Sequence, residues 1–307
     1  MSDARAMELD TPPVAAPTPS AGEVAADRPD AGRVRARDEA RAAASRRARR
    51  GAPAGIVPLA FLGVAFLAAP LVTLAVRTPW SELPALLAAP GVLTALRLSM
   101  VVSLGALAVS LVLGVPLAWV MARVPFRGRQ VVRALVILPM VLPPVVGGVA
   151  LLLAYGRNGL VGRLLESGLG LSLPFTTAGA IMAAAFVAMP FLVVTVEAGL
   201  RAMDGRYEEA AVTLGAGRWT TLRRVTLPLL APSLGAGAVL CWARALGEFG
   251  ATITFAGNLP GSTQTMPLAV YLALQTDTTS AVALSAVMLG ISMVVLVVLR
   301  DRWFRVL

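Results

Sequence analysis

The sequence predicts an all-α membrane protein with about six transmembrane helices and both termini in the cytoplasm, and three observations support this. Of its 307 residues, 57% are hydrophobic and only 14% are charged, whereas soluble domains carry about 25% charged residues. Six apolar stretches are long enough to cross a bilayer, which takes ~20 residues each. Arginines are concentrated in alternate connections, as expected if those connections are cytoplasmic. The chain is therefore expected to be a multi-pass protein of the cytoplasmic membrane.

Residues 1–50 differ from the rest of the chain. They are rich in Ala, Pro, Asp and Arg and contain almost no large apolar side chains. Such a segment cannot bury enough apolar surface to fold, so we predict a disordered, basic cytoplasmic tail. The arginines of 33–50 indicate a positive-inside topology signal that also brings the tail to anionic membrane lipid. Residues 51–307 are predicted to form the transmembrane domain.

The apolar pattern sets the number and order of the spans. The predicted spans are 56–76, 94–122, 131–154, 176–199, 229–256 and 280–300. Connections 123–133 and 200–228 and the C-terminal end are rich in arginine, and the connections between them are poor in it. An odd number of spans would place one arginine-rich connection outside the cytoplasm, so the distribution favours six.

The third predicted span contains adjacent prolines. Pro143 and Pro144 remove two backbone donors and break the helical ladder. Non-helical backbone at membrane depth occurs only where protein or a water-filled cavity surrounds it. Two interpretations stay open: a kink that serves packing, or a broken helix that lines a transport pathway.

The composition excludes several classes of function. There is no Lys, so a phosphate-binding GxxxxGK[ST] loop is absent, and with no His and one cysteine, Cys241, we expect no metal site. No nucleophile–base pair stands out, so the chain is predicted not to be an enzyme and to carry no cofactor. The isoelectric point near 11.4 does not indicate nucleic-acid binding, because the arginines sit in short loops beside apolar runs.

The connection 200–228 reads as two short helices around a tight turn. Asp204 can cap a helix whose first turn carries Glu208 and Glu209, which the helix dipole favours. Gly215 is a natural C-terminal stop. A second short helix, about 218–227, is predicted to end at Pro228, where the fifth span begins.

The same connection carries a spaced motif. Glu209, Ala210 and Ala211 are followed after three residues by Gly215, after nine more by Val225, and after one more by Leu227 and Pro228. All seven positions resemble the EAA loop of bacterial ABC importer permeases of type I. The resemblance implies a loop that docks into a separate ATP-hydrolysing subunit and couples its closure to the permease. The residues assigned to this coupling role are Glu208, Glu209, Ala210, Ala211, Gly215, Ala216, Leu227 and Pro228.

The fifth span and the residues after it carry a second resemblance. Residues 243–258 read ARALGEFGATITFAGN, and residues 260–271 read PGSTQTMPLAVY. Both runs resemble the molybdate/tungstate permeases; the sulfate/thiosulfate permeases share the LGEFG core and rank second. The resemblance implies a homodimer that works with two cytoplasmic ATP-binding subunits and an extracytoplasmic molybdate-binding protein, the ATP being used by the partner subunit.

Small and charged residues recur on one face of the fifth span, where Arg244 and Glu248 stand four positions apart. Ionisable groups inside a membrane normally pair or face a cavity. The pair is interpreted either as a salt bridge that holds the bundle or subunit interface together, or as part of a gate in which Arg244 attracts an oxyanion. The residues assigned to the pathway or the subunit interface are Pro143, Pro144, Arg244, Glu248 and Thr252.

The remaining alternatives concern the outward loop and the class of protein. Thr263, Gln264 and Thr265 fit either a solvated turn or a docking point for the binding protein. A stand-alone secondary transporter is a competing hypothesis, with Glu248 as its one mid-span carboxylate. A structural or assembly protein of the membrane would not need the broken third span.

Overall fold

The computed structural model describes residues 56–303, with side chains described up to 295 and at 297. The predicted tail, 1–50, lies outside the described residues. The chain divides into two compact units, Met1–Ala68 and Ala69–Leu307. The described part of the first unit, 56–68, is helical and almost entirely exposed. Across 56–303, every regular element is helical.

Thirteen α-helices and one π-helical turn make up the described chain. They are α1 Ile56–Arg77, α2 Leu83–Ala88, α3 Pro90–Arg123, α4 Arg129–Val141, α5 Pro144–Tyr155, α6 Leu160–Leu169, α7 Thr177–Ala202, α8 Arg206–Thr213, α9 Arg218–Thr221, the π turn Leu222–Thr226, α10 Leu227–Leu246, α11 Gly250–Phe255, α12 Met266–Thr276 and α13 Thr278–Trp303.

Five helical segments within 56–303 are long and apolar enough to cross a membrane. They are α1, α3, α7, the continuous run Arg218–Leu246, and Thr278–Val295 within α13. A sixth crossing forms if α5 and α6, which meet at 48°, make one bent span. The prediction of an all-α protein with about six transmembrane helices is therefore confirmed.

The third predicted span, 131–154, is broken at its adjacent prolines, as the sequence predicts. Helix α4 ends at Val141, Leu142 and Pro143 are extended, and α5 begins at Pro144. The two prolines lack amide hydrogens and their rings clash with carbonyls one turn earlier, so α4 cannot continue through them. Pro144 suits the first turn of the next helix, where its amide hydrogen would have no intrahelical partner.

The fifth predicted span, 229–256, is interrupted near its end. At its start the helix is continuous with the loop helix before it, although a break at Pro228 was predicted. Helix α10 ends at Leu246, and a three-residue gap precedes α11. The second loop helix does not end at Pro228, because the amide of Leu227 donates across a wide turn to the carbonyl of Leu222. Such a π turn accommodates a following proline without ending the helix.

Helix α7 is the centre of the bundle, and α3 and α10 pack on it through small residues. Ala106 on α3 and Ala184 and Ala188 on α7 are fully buried. A Cβ at Gly199 would lie 2.4 Å from the Cβ of Ser233, so α7 and α10 approach closely there. In a bilayer, helices associate through such close van der Waals packing because lipid supplies no hydrophobic drive.

A polar contact joins α12 to α3, and a side-chain cap begins α13. The amide of Met266 donates to the hydroxyl of Ser99 on α3 at 2.7 Å. Asp277 caps α13, accepting from the amides of Thr279 and Ser280 and from the hydroxyl of Ser280. These hydrogen bonds, the hydroxyl of Ser280 first, lower the pKa of the Asp277 carboxyl. The sixth predicted span, 280–300, lies inside α13.

Candidate functional site

The 200–228 loop is built around the helix α8 and its two ends. The N-cap of α8 is Gly205, and the carboxylate of Asp204, one residue earlier than a cap would stand, accepts from the amide of Arg206 at 3.0 Å. At the other end Gly215 has φ 83°, in the left-handed region that glycine favours. The predicted stop at Gly215 is confirmed.

The motif residues at the end of α8 form a Schellman cap. The amide of Ala216 donates to the carbonyl of Ala211 at 3.0 Å, and the amide of Gly215 donates to that of Val212 at 2.9 Å. A Schellman cap requires positive φ at the residue that follows the end of the helix, which here is Gly215. The spacing from Ala211 to Gly215 therefore has a direct structural role: it closes a short helix with a rigid turn.

Apolar side chains stand exposed around this turn. Tyr207, Val212, Leu214 and Trp219 are all more than half exposed, and Leu214 is 88% exposed. We call these four residues the loop surface. Arg218, Arg223 and Arg224 lie exposed beside it. An exposed apolar group next to charged residues is typical of a protein-binding surface.

Glu208 faces the bundle, although it stands beside the exposed Glu209 in the sequence. Its Oε1 accepts from the hydroxyl of Thr226 at 2.7 Å. Its Oε2 lies 3.4 Å from Nη2 of Arg123, at the end of α3. The sequence pattern groups Glu208 with the outward residues of the loop and does not indicate Arg123 or Thr226, because no local pattern joins positions so far apart in the chain.

A second ion cluster lies where the start of α4 meets the last turns of α7. The buried carboxylate of Glu197 binds Arg133 of α4 and Arg201, four residues further along α7. The contact between Glu208 and Arg123 lies at the same end of the bundle. We call this end, which carries Arg123, Arg133 and Arg201, the arginine-rich end.

The two interrupted helices meet each other. Helix α11 packs on α5, and glycine is required at both sides of the contact. A Cβ at Gly250 would lie 2.7 Å from the Cβ of Pro144, and a Cβ at Gly148 would lie 2.6 Å from the Cβ of Thr254. The break after α4 and the break after α10 are therefore adjacent in space.

Gly148→Ala is expected to destabilise the protein by about 1–3 kcal/mol, because the new methyl group also meets the backbone of Ala251 at 3.0 Å and the rigid helix cannot yield. The measurement is thermal unfolding in detergent. The matched control is Gly235→Ala, since a Cβ there meets no atom within 4 Å. Equal melting temperatures for the two variants would contradict the close packing of α5 on α11.

Arg244 and Glu248 lie at the second break and are paired. Nη1 of Arg244 is 2.6 Å from Oε2 of Glu248, as an ion contact rather than an aligned hydrogen bond. Oε1 of Glu248 accepts from the amide of Ala251 at 2.8 Å and so caps α11. The Glu248 side chain is 2% exposed and that of Arg244 is 29% exposed. The pair therefore holds the start of α11 while leaving guanidinium donors open to one side.

Pro143, Pro144, Arg244 and Glu248 lie at or beside the two breaks. Thr252 is the fifth predicted pathway residue. Its side chain is 1% exposed, and its hydroxyl has no hydrogen-bond partner among the described residues. Thr252 is the third residue of α11 and follows Glu248 by four positions in the sequence. The structure thus gathers Pro144, Arg244, Glu248 and Thr252 around the meeting point of α5 and α11.

The turn 257–265 is exposed at 259–261, but the interpretation as a solvated turn is wrong for two of the three positions Thr263, Gln264 and Thr265. Thr263 is fully buried and its hydroxyl accepts from the amide of Leu259 at 2.9 Å. Thr265 is also buried. The hydroxyl of Thr177 on α7 donates to the carbonyl of Ser262 at 2.8 Å. These residues hold the turn against the bundle, which their polar character concealed.

An open cleft of about 430 Å³ lies at the opposite end of α5 from the proline break. Arg157 and Asn158 line it, and so does Phe175, whose φ of 62° is unusual for a residue other than glycine. Ser172 accepts a hydrogen bond from Nε of Arg157 at 3.3 Å. No sequence pattern predicted this cleft.

Comparisons with known proteins agree on one family. Residues 114–307 match the family model described as binding-protein-dependent transport system inner membrane component. The molybdenum transport system permease protein ModB of Mycobacterium tuberculosis is 48% identical over 238 residues, which cover 77% of this chain and 89% of that protein. ModB of Escherichia coli is 41% identical over 209 residues, covering 68% and 91%.

Two further proteins match this chain at lower sequence identity. The sulfate transport system permease protein CysT of Escherichia coli is 36% identical over 218 residues, covering 71% of this chain and 78% of that protein. A bacterial ABC transporter that imports the polysaccharide alginate has a chain of similar structure, with a TM-score of 0.63 over 81% of this chain and 92% of that one. At 19% identity this likeness shows the fold alone.

Proposed function

The chain belongs to the family of binding-protein-dependent transport system inner membrane components and is a multi-pass protein of the inner membrane, and from this premise we propose that it is the permease subunit of an ATP-driven importer of molybdate or tungstate. The observation that carries the proposal is the 48% identity to a ModB permease over 238 residues. Identity to the sulfate permease CysT is lower, at 36%. A sulfate/thiosulfate permease is therefore the second candidate for the substrate.

Membership of this family leaves little support for a stand-alone secondary transporter or a structural protein. The 200–228 loop supports the importer instead, because it presents a capped short helix and an exposed apolar surface outside the apolar spans. We propose that the loop surface docks on an ATP-binding subunit. ATP would then be bound and hydrolysed by that partner, and this chain would need no cofactor and no catalytic site.

The arrangement of the complex follows from the same premise. We propose that the arginine-rich end lies in the cytoplasm, because cytoplasmic loops carry an excess of basic residues. We propose a homodimer, since most oligomers are symmetric, with two ATP-binding subunits at that end and a binding protein at the other. Both termini would then be cytoplasmic.

The meeting point of α5 and α11 is the proposed pathway site. The prolines remove a stretch of regular helix, and backbone freed in this way must face protein or a water-filled cavity. Arg244 is partly exposed while its partner Glu248 is enclosed, so unpaired guanidinium donors can attract a tetrahedral oxyanion for a short time. The same exposure fits a subunit interface, which remains the second interpretation of Pro143, Pro144, Arg244, Glu248 and Thr252.

Uptake of labelled molybdate tests the proposed function. Cells that lack this chain are expected to lose high-affinity uptake, and cells that express it are expected to show uptake that excess tungstate inhibits and excess sulfate does not. ATP hydrolysis by the copurified partner subunit should depend on this chain. Unchanged molybdate uptake together with a sulfate defect would move the substrate to the second candidate and keep the permease.

A further inference from the structure

One carboxylate joins three separate parts of the chain at the arginine-rich end. Glu208 lies in the first turn of α8, Arg123 is the last residue of α3, and Thr226 is the last residue of the π turn below α10. Both oxygens of Glu208 are used, one by the Thr226 hydroxyl and one by the Arg123 guanidinium. No other contact of this kind connects α8 to the spans among the hydrogen bonds and ion pairs of the described residues.

The π turn explains why Thr226 is available. Residues of a regular helix advance by about 100° each, and a wide turn changes the face on which later side chains emerge. Thr226 is fully buried, while its neighbour Leu227 is exposed. Pro228 accounts for the wide turn locally, but the turn also brings a hydroxyl to Glu208 in an enclosed place, where such a hydrogen bond is strong.

The contact with Arg123 is incomplete. Nη2 of Arg123 is 3.4 Å from Glu208 and is not aligned for a hydrogen bond, and its Nε is also enclosed without a partner. A guanidinium offers two parallel donors to a carboxylate. A small shift of α8 toward α3 would therefore bring Nη2 of Arg123 into hydrogen-bond distance of Oε2 of Glu208. The contact with Thr226, at 2.7 Å, is already tight.

We propose that Glu208, Thr226 and Arg123 form a tie that holds α8 to the spans, so that displacement of α8 moves α3 and α10 with it. The inference rests on the proposed function, in which α8 receives the motion of an ATP-binding subunit. Glu208 and Thr226 are positioning residues, since they act through α8 and touch no substrate. The opposite end of α10 carries Arg244, so the tie connects the docking loop directly to the span that leads to the proposed pathway site.

The first test uses the assembled complex in proteoliposomes and measures molybdate taken up per ATP hydrolysed. Thr226→Val keeps the shape of the side chain and removes its hydroxyl, and it is expected to lower this ratio by about fivefold or more. Thr226→Ser keeps the hydroxyl and should restore the ratio. Thr195→Val is the matched control, because the Thr195 hydroxyl binds only the carbonyl of Phe191 in its own helix, and its ratio should equal that of the unmodified protein.

Glu208→Ala combined with Thr226→Val tests whether the residues act together, because alanine removes the acceptor of the Thr226 hydroxyl. The double variant is expected to be no worse than the more severe single variant, because either change alone breaks the hydrogen bond between α8 and Thr226. Effects that multiply would overturn the proposal. So would an unchanged ratio in Thr226→Val; if Thr226→Val fails to assemble, Glu208→Ala gives the decision by the same ratio.

A second readout needs no substrate. Trypsin cleaves after exposed arginines, and Arg206 and Arg218 flank α8 and its turn. In the purified full-length chain, Thr226→Val is expected to be cleaved at these sites about tenfold faster, the factor that loss of one hydrogen bond to a charged group produces. Cleavage at the unmodified rate would overturn the tie. If the complex imports no molybdate, the proposed function fails, while the cleavage rate still decides on the tie.

Discussion

Gly215→Val is expected to abolish uptake while the chain still inserts into the membrane. Gly215 has φ 83°, and an L-residue there costs roughly 1–2 kcal/mol, more when it is β-branched. A Cβ at Gly215 meets no atom within 4 Å, so the strain arises from the backbone alone. The Schellman cap would open and the end of α8 would move, and a displacement of ~1 Å remote from a working site can lower a rate by about a hundredfold.

The control for this prediction is Gly215→Asn, because asparagine tolerates the left-handed region. It adds a side chain of similar size and should retain most of the uptake. Insertion is followed by the amount of full-length chain in the membrane fraction, and uptake by labelled molybdate. Equal uptake in the valine and asparagine variants would show that the turn at Gly215 has no role in coupling.

Arg244→Gln is expected to lower the stability of the protein far more than Glu248→Gln does. Removing Arg244 leaves the Glu248 carboxylate charged and unpaired with 2% of its side chain exposed, and breaking a buried pair in this way costs about 3–5 kcal/mol. Removing the charge of Glu248 leaves Arg244 with access to water, and the glutamine oxygen can still accept from the amide of Ala251. The smaller loss is about 1 kcal/mol, that of one ordinary hydrogen bond.

The double variant, Arg244→Gln with Glu248→Gln, provides the control. It removes both charges, so it is expected to be more stable than Arg244→Gln alone. Thermal unfolding in detergent gives the stability, and molybdate uptake gives the activity. A double variant that regains stability but not uptake would favour a gate, and one that regains both would favour a structural pair. Full uptake and normal assembly in Arg244→Gln would exclude a role for Arg244 in the gate.

The 200–228 loop was predicted well because its determinants are local. Asp204 binds the first amide of α8 and Gly215 closes its last turn, and both act on neighbours within a few residues. The prediction failed at Pro228, where a helix stop was expected. A proline stops a helix only if the preceding turn stays regular, and here a wide turn absorbs it.

Glu208 shows where local reasoning ends. Its neighbours in the sequence suggest an exposed acidic turn at the start of a helix. Its partners, Arg123 and Thr226, are 85 residues before it and 18 after it, and no helical period relates them. Helix dipole and capping arguments apply to every acidic residue in a first turn, so they could not separate Glu208 from Glu209.

Composition, span length and arginine placement determined the all-α membrane class, the approximate number of spans and the position of the 200–228 loop, because each depends on transfer of residues between water and lipid or on contacts within one turn. Where the broken helices meet depended on the packing of the whole bundle. Gly148 and Gly250 permit that contact, yet glycine in a helix has the same local signal at Gly235, where nothing lies close. Close approach is a relation between two helices distant in the chain, and only the folded structure brings them together.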